Sequence, residues 1–419
     1  MGIFSNQYEP QGLLKKGSYS LQVGAPNPNT LKKVVNYFSD ATERSRFTPG
    51  FEETLQYGVM GGADSVKHQV AEFLTRQYDQ SVLKENILIT CGASQGLLTI
   101  LNTFFTNCHT MFIEDPTYLA VADLMKRGYV CKGEPVSMED DGMNLNELEK
   151  KVKQLPAMPT TTETCPFRAA VYVVPIFHNP TGVCYSPEKC KQLVLLARKY
   201  NLLVIADDVY NVLNYVSNTD NDIFNPPPPR LFSYDDPSDP DYQGNVIANG
   251  TFAKFVAPGL RLGWFEAPKR IFNRLMTNYA ILSGGGMSSS PSYILAEAIR
   301  HGDIDKHVQE LRIIHKERMN AVIDIVEKNL GRYGVTISHP DGGYFLWVTL
   351  PEHISSTQVL KHANDKYNVT FTRGILTSLS GKCDNCVRLS FAYYELDDLK
   401  EGVIRFTQAV TAVIEANGA

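Results

Sequence analysis

Between residues 87 and 248 the chain repeats one pattern: a short apolar run, often β-branched, then a longer stretch with helical spacing. Ile87-Leu88-Ile89-Thr90, Thr110-Met111-Phe112-Ile113, Ala169 to Pro175, Leu202 to Ala206 and Asn245 to Ala248 are apolar without strict alternation. Strands of that kind are covered on both faces, as in a parallel sheet. Helices are predicted over Gln95 to Phe105 and Pro187 to Tyr200. Strands alternating with helices give an α/β fold, a mostly parallel central sheet flanked by helices.

Past residue 295 the texture changes. Ile304, Val308, Leu311, Ile314, Ala321 and Ile325 fall on one stripe of a long helix that stops at Asn329-Leu330-Gly331. Short strands are predicted at Tyr344 to Leu350, Val369 to Thr372 and Val387 to Phe391, then a closing helix from Asp397. These form a smaller α+β unit. The expected division is an arm with part of the small domain (1–50), a large domain (51–295) and a small C-terminal domain (296–419), because 419 residues exceed one ordinary core. Asn225-Pro226-Pro227-Pro228-Pro229-Arg230, inside a polar segment from Ser217 to Gln243, reads as a stiff surface insertion.

Composition narrows the class. Apolar content of 43% and charged content of 20% suit a globular enzyme, and a net charge of -5 gives no reason to expect a nucleic-acid partner. No apolar run reaches the length of a membrane span. Met1-Gly2-Ile3-Phe4-Ser5-Asn6 matches neither a signal peptide nor a transit sequence, so a cytoplasmic location is expected. The eight cysteines read as reduced thiols. Cys383-Asp384-Asn385-Cys386 is a single CxxC without the two further ligands a zinc site needs, so no metal is expected; the pair reads as a coincidence of the loop, with a redox role as the alternative.

Candidate chemistry begins at Gly250-Thr251-Phe252-Ala253-Lys254-Phe255, where one lysine stands among small and apolar residues. Desolvation lowers the pKa of such an amine, and a neutral amine is what a Schiff base with an aldehyde cofactor requires. Thr90-Cys91-Gly92-Ala93-Ser94-Gln95-Gly96 joins a strand to a helix through small residues, an arrangement that admits a phosphate but lacks the spacing of a dinucleotide or P-loop fingerprint. Asp207 and Asp208 end a buried strand. Asp207 is placed to pair with a protonated pyridine nitrogen, Asp208 could cap a following helix, and Tyr210 would face the same side as Asp207. Asn179, in His178-Asn179-Pro180-Thr181-Gly182, could donate to a phenolate oxygen; His178 reads as an ordinary buried residue. Tyr118 offers a ring to stack on a flat ligand. Arg388 lies inside an apolar strand, where it needs either an internal acid or a substrate carboxylate.

Taken in this order, the segments resemble the class I/II aminotransferases of pyridoxal-phosphate fold type I, near the aromatic, 2-aminoadipate and kynurenine-type branch. The resemblance runs from Gly24-Ala25-Pro26 through Tyr57 and the central motifs to Gly342-Gly343-Tyr344-Phe345-Leu346-Trp347 and Arg388. It implies pyridoxal phosphate attached to Lys254, which also shuttles the proton, with Asp207 on the pyridinium and Asn179 and Tyr210 on the phenolate oxygen. Ala93, Ser94, Gln95, Thr251 and Arg261 would form the phosphate cup, and Tyr118 would stack on the ring. Tyr57 is similar to the tyrosine that reaches the phosphate in the neighbouring subunit, which implies a homodimer with shared active sites. Arg388, with Gly24 and Asn179 beside it, would grip the α-carboxylate.

The expected reaction is transamination between a 2-amino acid, hydrophobic, aromatic or of broad range, and a 2-oxo acid such as 2-oxoglutarate. A Cβ–S lyase on the same scaffold is the first alternative, and a non-catalytic binding or regulatory protein the second. Three departures from the family pattern stand out. Ala253 replaces the usual Ser or Thr, removing one phosphate donor. Val66-Lys67 replaces a Leu-Arg. Arg373-Gly374-Ile375-Leu376-Thr377-Ser378 replaces a Pro-Gly-x-x-Phe loop. Ser283-Gly284-Gly285-Gly286-Met287-Ser288 reads as a loop near the partner's site and carries no arginine for a second substrate carboxylate; Lys15 and Lys16 read as solvated surface.

Overall fold

The computed structural model describes residues 17–47, 51–106, 109–156, 165–217, 224–283 and 287–418. Met1 to Asn6, Lys15, Lys16, Gly284 to Gly286, residues 218–223 of the polar segment, and Cys108, one of the eight cysteines, lie outside the described residues.

An eight-stranded sheet organises the larger part of the chain. In spatial order it runs Ile87–Thr90, Gly263–Glu266, Val246–Thr251, Leu202–Ala206, Ala169–Val173, Thr110–Asp115, Lys132–Glu139 and Gly142–Met143. Pairing is parallel from Val246–Thr251 through to Lys132–Glu139 and antiparallel where Gly263–Glu266 inserts beside Ile87–Thr90. Both faces are covered. Ala170 and Tyr172 join one apolar cluster, while Ala169, Val171 and Val173 join the other. Continuous burial explains the unalternated runs of the sequence.

Helices Ala93–Phe104 and Pro187–Tyr200 pack on this sheet, the second capped by Ser186, whose side chain accepts the Lys189 N–H. A second sheet of four antiparallel strands holds Thr336–Ile337, Phe345–Thr349, Cys386–Ser390 and Thr372–Arg373. Tyr19–Ser20 pairs in parallel with Val369–Thr370, so N-terminal residues are built into the C-terminal part. The expected large–small division near 295 falls within helix Ser289–Arg300, just ahead of helix Asp303–Leu330.

Three local expectations change. No helix follows Asp208, which therefore caps none. The stripe of Asp303–Leu330 buries Ile304, Val308 and Leu311 but also His307, Arg312, His315 and Arg318, while Ile314, Ala321 and Ile325 are only half-buried. Arg312 earns its place by donating to the Val212 carbonyl at 2.8 Å and to Gln77 at 2.9 Å. The proline-rich segment is not a free surface insertion. Pro227 is buried, and Arg230 is clamped to Glu266 by bonds of 2.7 and 2.9 Å. Arg198 likewise gathers Asp235, Asp239 and Asp241, each at 2.8 Å, which pins the following polar stretch.

Candidate active site

Strand ends deliver the polar groups to one edge of the large sheet, the position where open α/β sheets bind ligands. There Asp207, Lys254, Asn179, Tyr210, Tyr118, Thr251, Arg261, Ala93, Ser94 and Gly24 all border a cavity of about 620 Å³. Asp207 leaves strand Leu202–Ala206 and is buried. Its Oδ2 accepts the Tyr172 hydroxyl at 2.6 Å and its Oδ1 the Asn249 amide at 2.8 Å. The same Asn249 amide group donates to the Ala93 carbonyl at 3.0 Å, tying the carboxylate to the start of helix Ala93–Phe104. Gly96 makes this possible: a Cβ there would lie 2.4 Å from Asn249 Oδ1. Burial pushes Asp207 up to about 6, against the downward pull of Tyr172, Asn249 and Lys254. A carboxylate fixed on two donors beside a cavity can hold a cationic ring nitrogen.

Lys254 follows strand Val246–Thr251. Its Nζ donates to the Gly24 carbonyl at 2.8 Å and lies 6.0 and 5.8 Å from the ring centres of Tyr210 and Tyr344. Burial lowers its pKa to about 8, helped by Arg388 and Arg261 and opposed by Asp207. The Tyr344 hydroxyl donates to the Lys254 carbonyl, which fixes the backbone that carries the amine. A base poised near neutrality can attack a carbonyl and move a proton.

The third corner suits a phosphate. The N–H groups of Ala93, Ser94 and Gln95 open a twelve-residue helix, where intrahelical acceptors are missing and the dipole favours an anion. Gly92 turns into it with φ 90°. A Cβ on Gly92 would lie 3.2 Å from Arg261 Nη2 and 3.5 Å from Thr251 Oγ1, so its absence keeps a cradle open between the arginine, the hydroxyl and the helix start.

At the opposite corner Arg388, buried on strand Cys386–Ser390, donates to Asn179 Oδ1 at 3.0 Å, to the Gln22 carbonyl at 2.9 Å and to Thr372 Oγ1 at 3.1 Å. Its guanidinium lies over the Phe345 ring at 4.0 Å. Gln22, Gly24, Asn179, Phe345 and Arg388 thus make a cationic recess opening beside Lys254. Such a fork matches a carboxylate.

The family model for Aminotransferase class I and II matches residues 18–406. The chain belongs to this family. It is a pyridoxal-phosphate-dependent aminotransferase. Among its relatives, aromatic-amino-acid aminotransferase 1 of Thermococcus litoralis is 29% identical, over 93% of this chain and 87% of its own length. The uncharacterized protein YER152C of Saccharomyces cerevisiae is 32% identical, over 84% of this chain and 86% of its own. The structure of Pyrococcus horikoshii kynurenine aminotransferase, solved with PMP, superposes with a TM-score of 0.79 at 28% identity, covering 94% of this chain and 91% of that one. The site fits this aminotransferase cofactor. The open cradle beside Gly92 has room and donors for a phosphate, the buried Asp207 carboxylate could pair with a ring nitrogen, and Lys254 Nζ offers an amine on the same cavity.

Not every residue named from the sequence borders the aminotransferase cavity. The Gln95 side chain turns away to Thr99 Oγ1 at 2.9 Å, leaving its backbone N–H at the helix start. Tyr57 is 81% exposed and lies outside the cavity lining of this chain. Ala253 borders the cavity, and its N–H donates to Thr251 Oγ1 at 3.2 Å. Val66 is buried in the core, and Lys67 stands 3.9 Å from Asp64. His178 sits beneath the site with Nε2 3.1 Å from Glu114, which also accepts the Tyr185 hydroxyl at 2.8 Å and the Val174 N–H at 3.0 Å. Sequence reasoning missed Tyr172, Asn249, Glu114, Tyr344 and Phe345 as supports of the site. The tyrosine within an apolar run and the asparagine within a strand were the signals, because a buried polar group demands a partner.

Proposed function

We propose that this aminotransferase moves the amino group of an apolar or aromatic 2-amino acid to a 2-oxo acid such as 2-oxoglutarate. The observation that carries the reading is the cavity's polarity. Leu97, Leu98, Ala120, Val121 and Leu124 form one wall, and the Arg388 recess stands apart from them. An amino acid held there by its carboxylate has an apolar wall available for its side chain. The Thermococcus relative named for aromatic amino acids and the Pyrococcus structure solved with kynurenine support the same class.

In this reading Lys254 holds the cofactor and takes the proton from the substrate α-carbon, and Asp207 keeps the ring nitrogen protonated. Asn179 and Tyr210 address the phenolate oxygen. Ala93, Ser94, Gln95, Thr251 and Arg261 hold the phosphate, and Tyr118 covers the ring. Pyridoxal phosphate, when bound, supplies the electron sink for charge developing at the α-carbon. Arg388 with Asn179 and Gly24 orients the substrate so that its α-hydrogen faces Lys254 Nζ. Tyr57, exposed on this chain, serves the neighbouring site of a homodimer. We place the protein in the cytosol.

A screen of single amino acids against the holoenzyme, read by loss of the cofactor's visible absorbance, tests this. Fast reaction with phenylalanine, tyrosine, leucine and kynurenine is expected. Strict preference for aspartate overturns the substrate class, and stoichiometric pyruvate and ammonia from a cysteine conjugate without an acceptor overturns the reaction type.

A further inference from the structure

The pair Cys383 and Cys386 takes no part in the aminotransferase site, yet the fold gives it a defined geometry. Cys383 has a left-handed backbone, φ 65°, and its carbonyl accepts the Cys386 N–H at 3.1 Å, closing a four-residue turn. Such a turn brings its first and fourth Cα within about 7 Å, and a disulfide spans roughly 4.4–6.8 Å. The Cys386 thiol donates to Asn385 Oδ1 at 3.6 Å and to Thr349 Oγ1 at 4.0 Å, and the neighbouring Cys383 thiol holds it below an ordinary thiol while being itself pushed up. Both cysteines are free; Cys383 is half-buried and Cys386 buried. Among the described residues no cluster of His, Cys, Asp and Glu supplies further metal ligands. The turn itself is clamped: the Asp384 carbonyl accepts the Ser356 N–H at 2.7 Å, and the Asn385 carbonyl accepts the Leu350 N–H at 2.8 Å.

Its place in the chain links it to both walls of the site. Cys386 opens the strand that carries Arg388, two residues on, so both side chains leave the same face. Upstream, the Lys382 N–H donates to Ser378 Oγ at 2.9 Å. From there the segment straps onto the Tyr118 wall. The Leu379 N–H donates to Asp115 at 2.9 Å, the Ser380 hydroxyl donates to the same carboxylate, and the Thr117 N–H donates to the Thr377 carbonyl at 2.8 Å.

We propose that Cys383 and Cys386 are a reversible modification site, whose disulfide loosens the grip of Arg388 on the substrate carboxylate. The oxidant is a low-molecular-weight disulfide such as glutathione disulfide. One thiolate of the pair attacks it and releases one small thiol; the other then attacks the mixed disulfide and releases the second. The chain's two thiols are oxidised to one S–S bond, the small disulfide is reduced to two thiols, and the two protons pass to them. Drawing the sulfurs to about 2.05 Å shifts the start of the Arg388 strand, because the turn is clamped on its other side.

The test treats holoenzyme with glutathione disulfide, maps the alkylated peptides by mass spectrometry, and measures KM for the amino acid before oxidation, after it, and after dithiothreitol. The expected result is a peptide spanning Cys383 to Cys386 that has lost two hydrogens, with a several-fold rise in KM at nearly constant kcat, both reversed by dithiothreitol. Cys383→Ser, at a half-buried position, should keep the starting KM and show neither change. A pair that stays reduced, a stable glutathione adduct without the internal bond, an unchanged KM in the disulfide form, or a KM rise that persists in Cys383→Ser each overturns the proposal.

Discussion

The inner and outer ends of the cavity are built by different means. At the inner end Asp207, Tyr172, Asn249 and Ala93 are locked together within one sheet and the helix it carries. At the outer end Arg388 meets Asn179 across 209 positions of sequence and the Gln22 carbonyl across 366. The inner end is knit together within one sheet, as suits a resident group. The outer end is assembled from three distant stretches of chain, as suits a ligand that must enter and leave. Asn179 belongs to both, since its Oδ1 is taken by Arg388 while its amide N–H₂ remains for the cavity.

If the ends are separable, Arg388→Leu should damage only one of them. Losing charge-assisted bonds to a carboxylate costs about 2–3 kcal/mol, or roughly 100-fold in KM for the amino acid. Cofactor affinity, measured by fluorescence titration, should not change. Equal loss of both would show that the ends act as one unit.

The core around the site can be tested by pH. Burial holds His307 down at about 4 and His315 at about 3, so the native chain keeps both neutral where the unfolded chain binds protons near 6.5. Their contribution is complete above pH 6.5, drains away as pH falls below it, and is gone by about 4 for His307 and 3 for His315, roughly 3 kcal/mol in the case of His307. Asp208 has the opposite sign. Burial pushes it up to about 7, so its contribution is complete below 3.8 and is lost as pH rises through 7. Urea unfolding of the apoprotein should therefore show stability falling between pH 6.5 and 4 by roughly 3 kcal/mol, because Asp208 offsets only one of the two histidines, and levelling off below about 3. In Asp208→Asn that offset is gone, and the fall between pH 6.5 and 4 should be about twice as steep.

Smaller effects sharpen the inner end. Tyr172→Phe removes one donor from the Asp207 carboxylate, a loss of about 1.5 kcal/mol or roughly tenfold in cofactor Kd, with KM for the amino acid unchanged. Without that donor Asp207 should also titrate above its present value of about 6, a shift that carboxyl NMR of the apoprotein would read. Ala253→Ser restores a hydroxyl next to the phosphate cradle. Cofactor binding should tighten by about fivefold, the worth of roughly 1 kcal/mol from one added hydrogen bond. Unchanged or weaker binding would place residue 253 outside the cradle's reach.

The same contrast explains what could be read from the chain alone. Lys254, Asp207 and Asn179 follow strand ends within short signatures, so their positions were legible before any contact was known. Tyr172 and Asn249 lie inside strands and look like ordinary sheet residues. They support Asp207 because Tyr172 pairs with Ile205 and Ala248 with Ala206, and a register between strands is not written in either strand. Arg230 misled for a related reason. Its proline neighbours suggested solvent, but Glu266, 36 positions away, draws it into the core. The apolar stripe of helix Asp303–Leu330 says nothing of its polar residues, yet Arg318 is buried by bonds to the Ala392 carbonyl at 3.0 Å and to Glu395 at 2.6 Å. Long side chains find partners that a helical wheel does not show.

Borohydride reduction of the holoenzyme, followed by peptide mapping, tests the whole arrangement most directly. The account predicts that the cofactor is fixed on Lys254 alone, and that Lys254→Ala retains no covalent label. A label on any other lysine, or one that survives in Lys254→Ala, would contradict it.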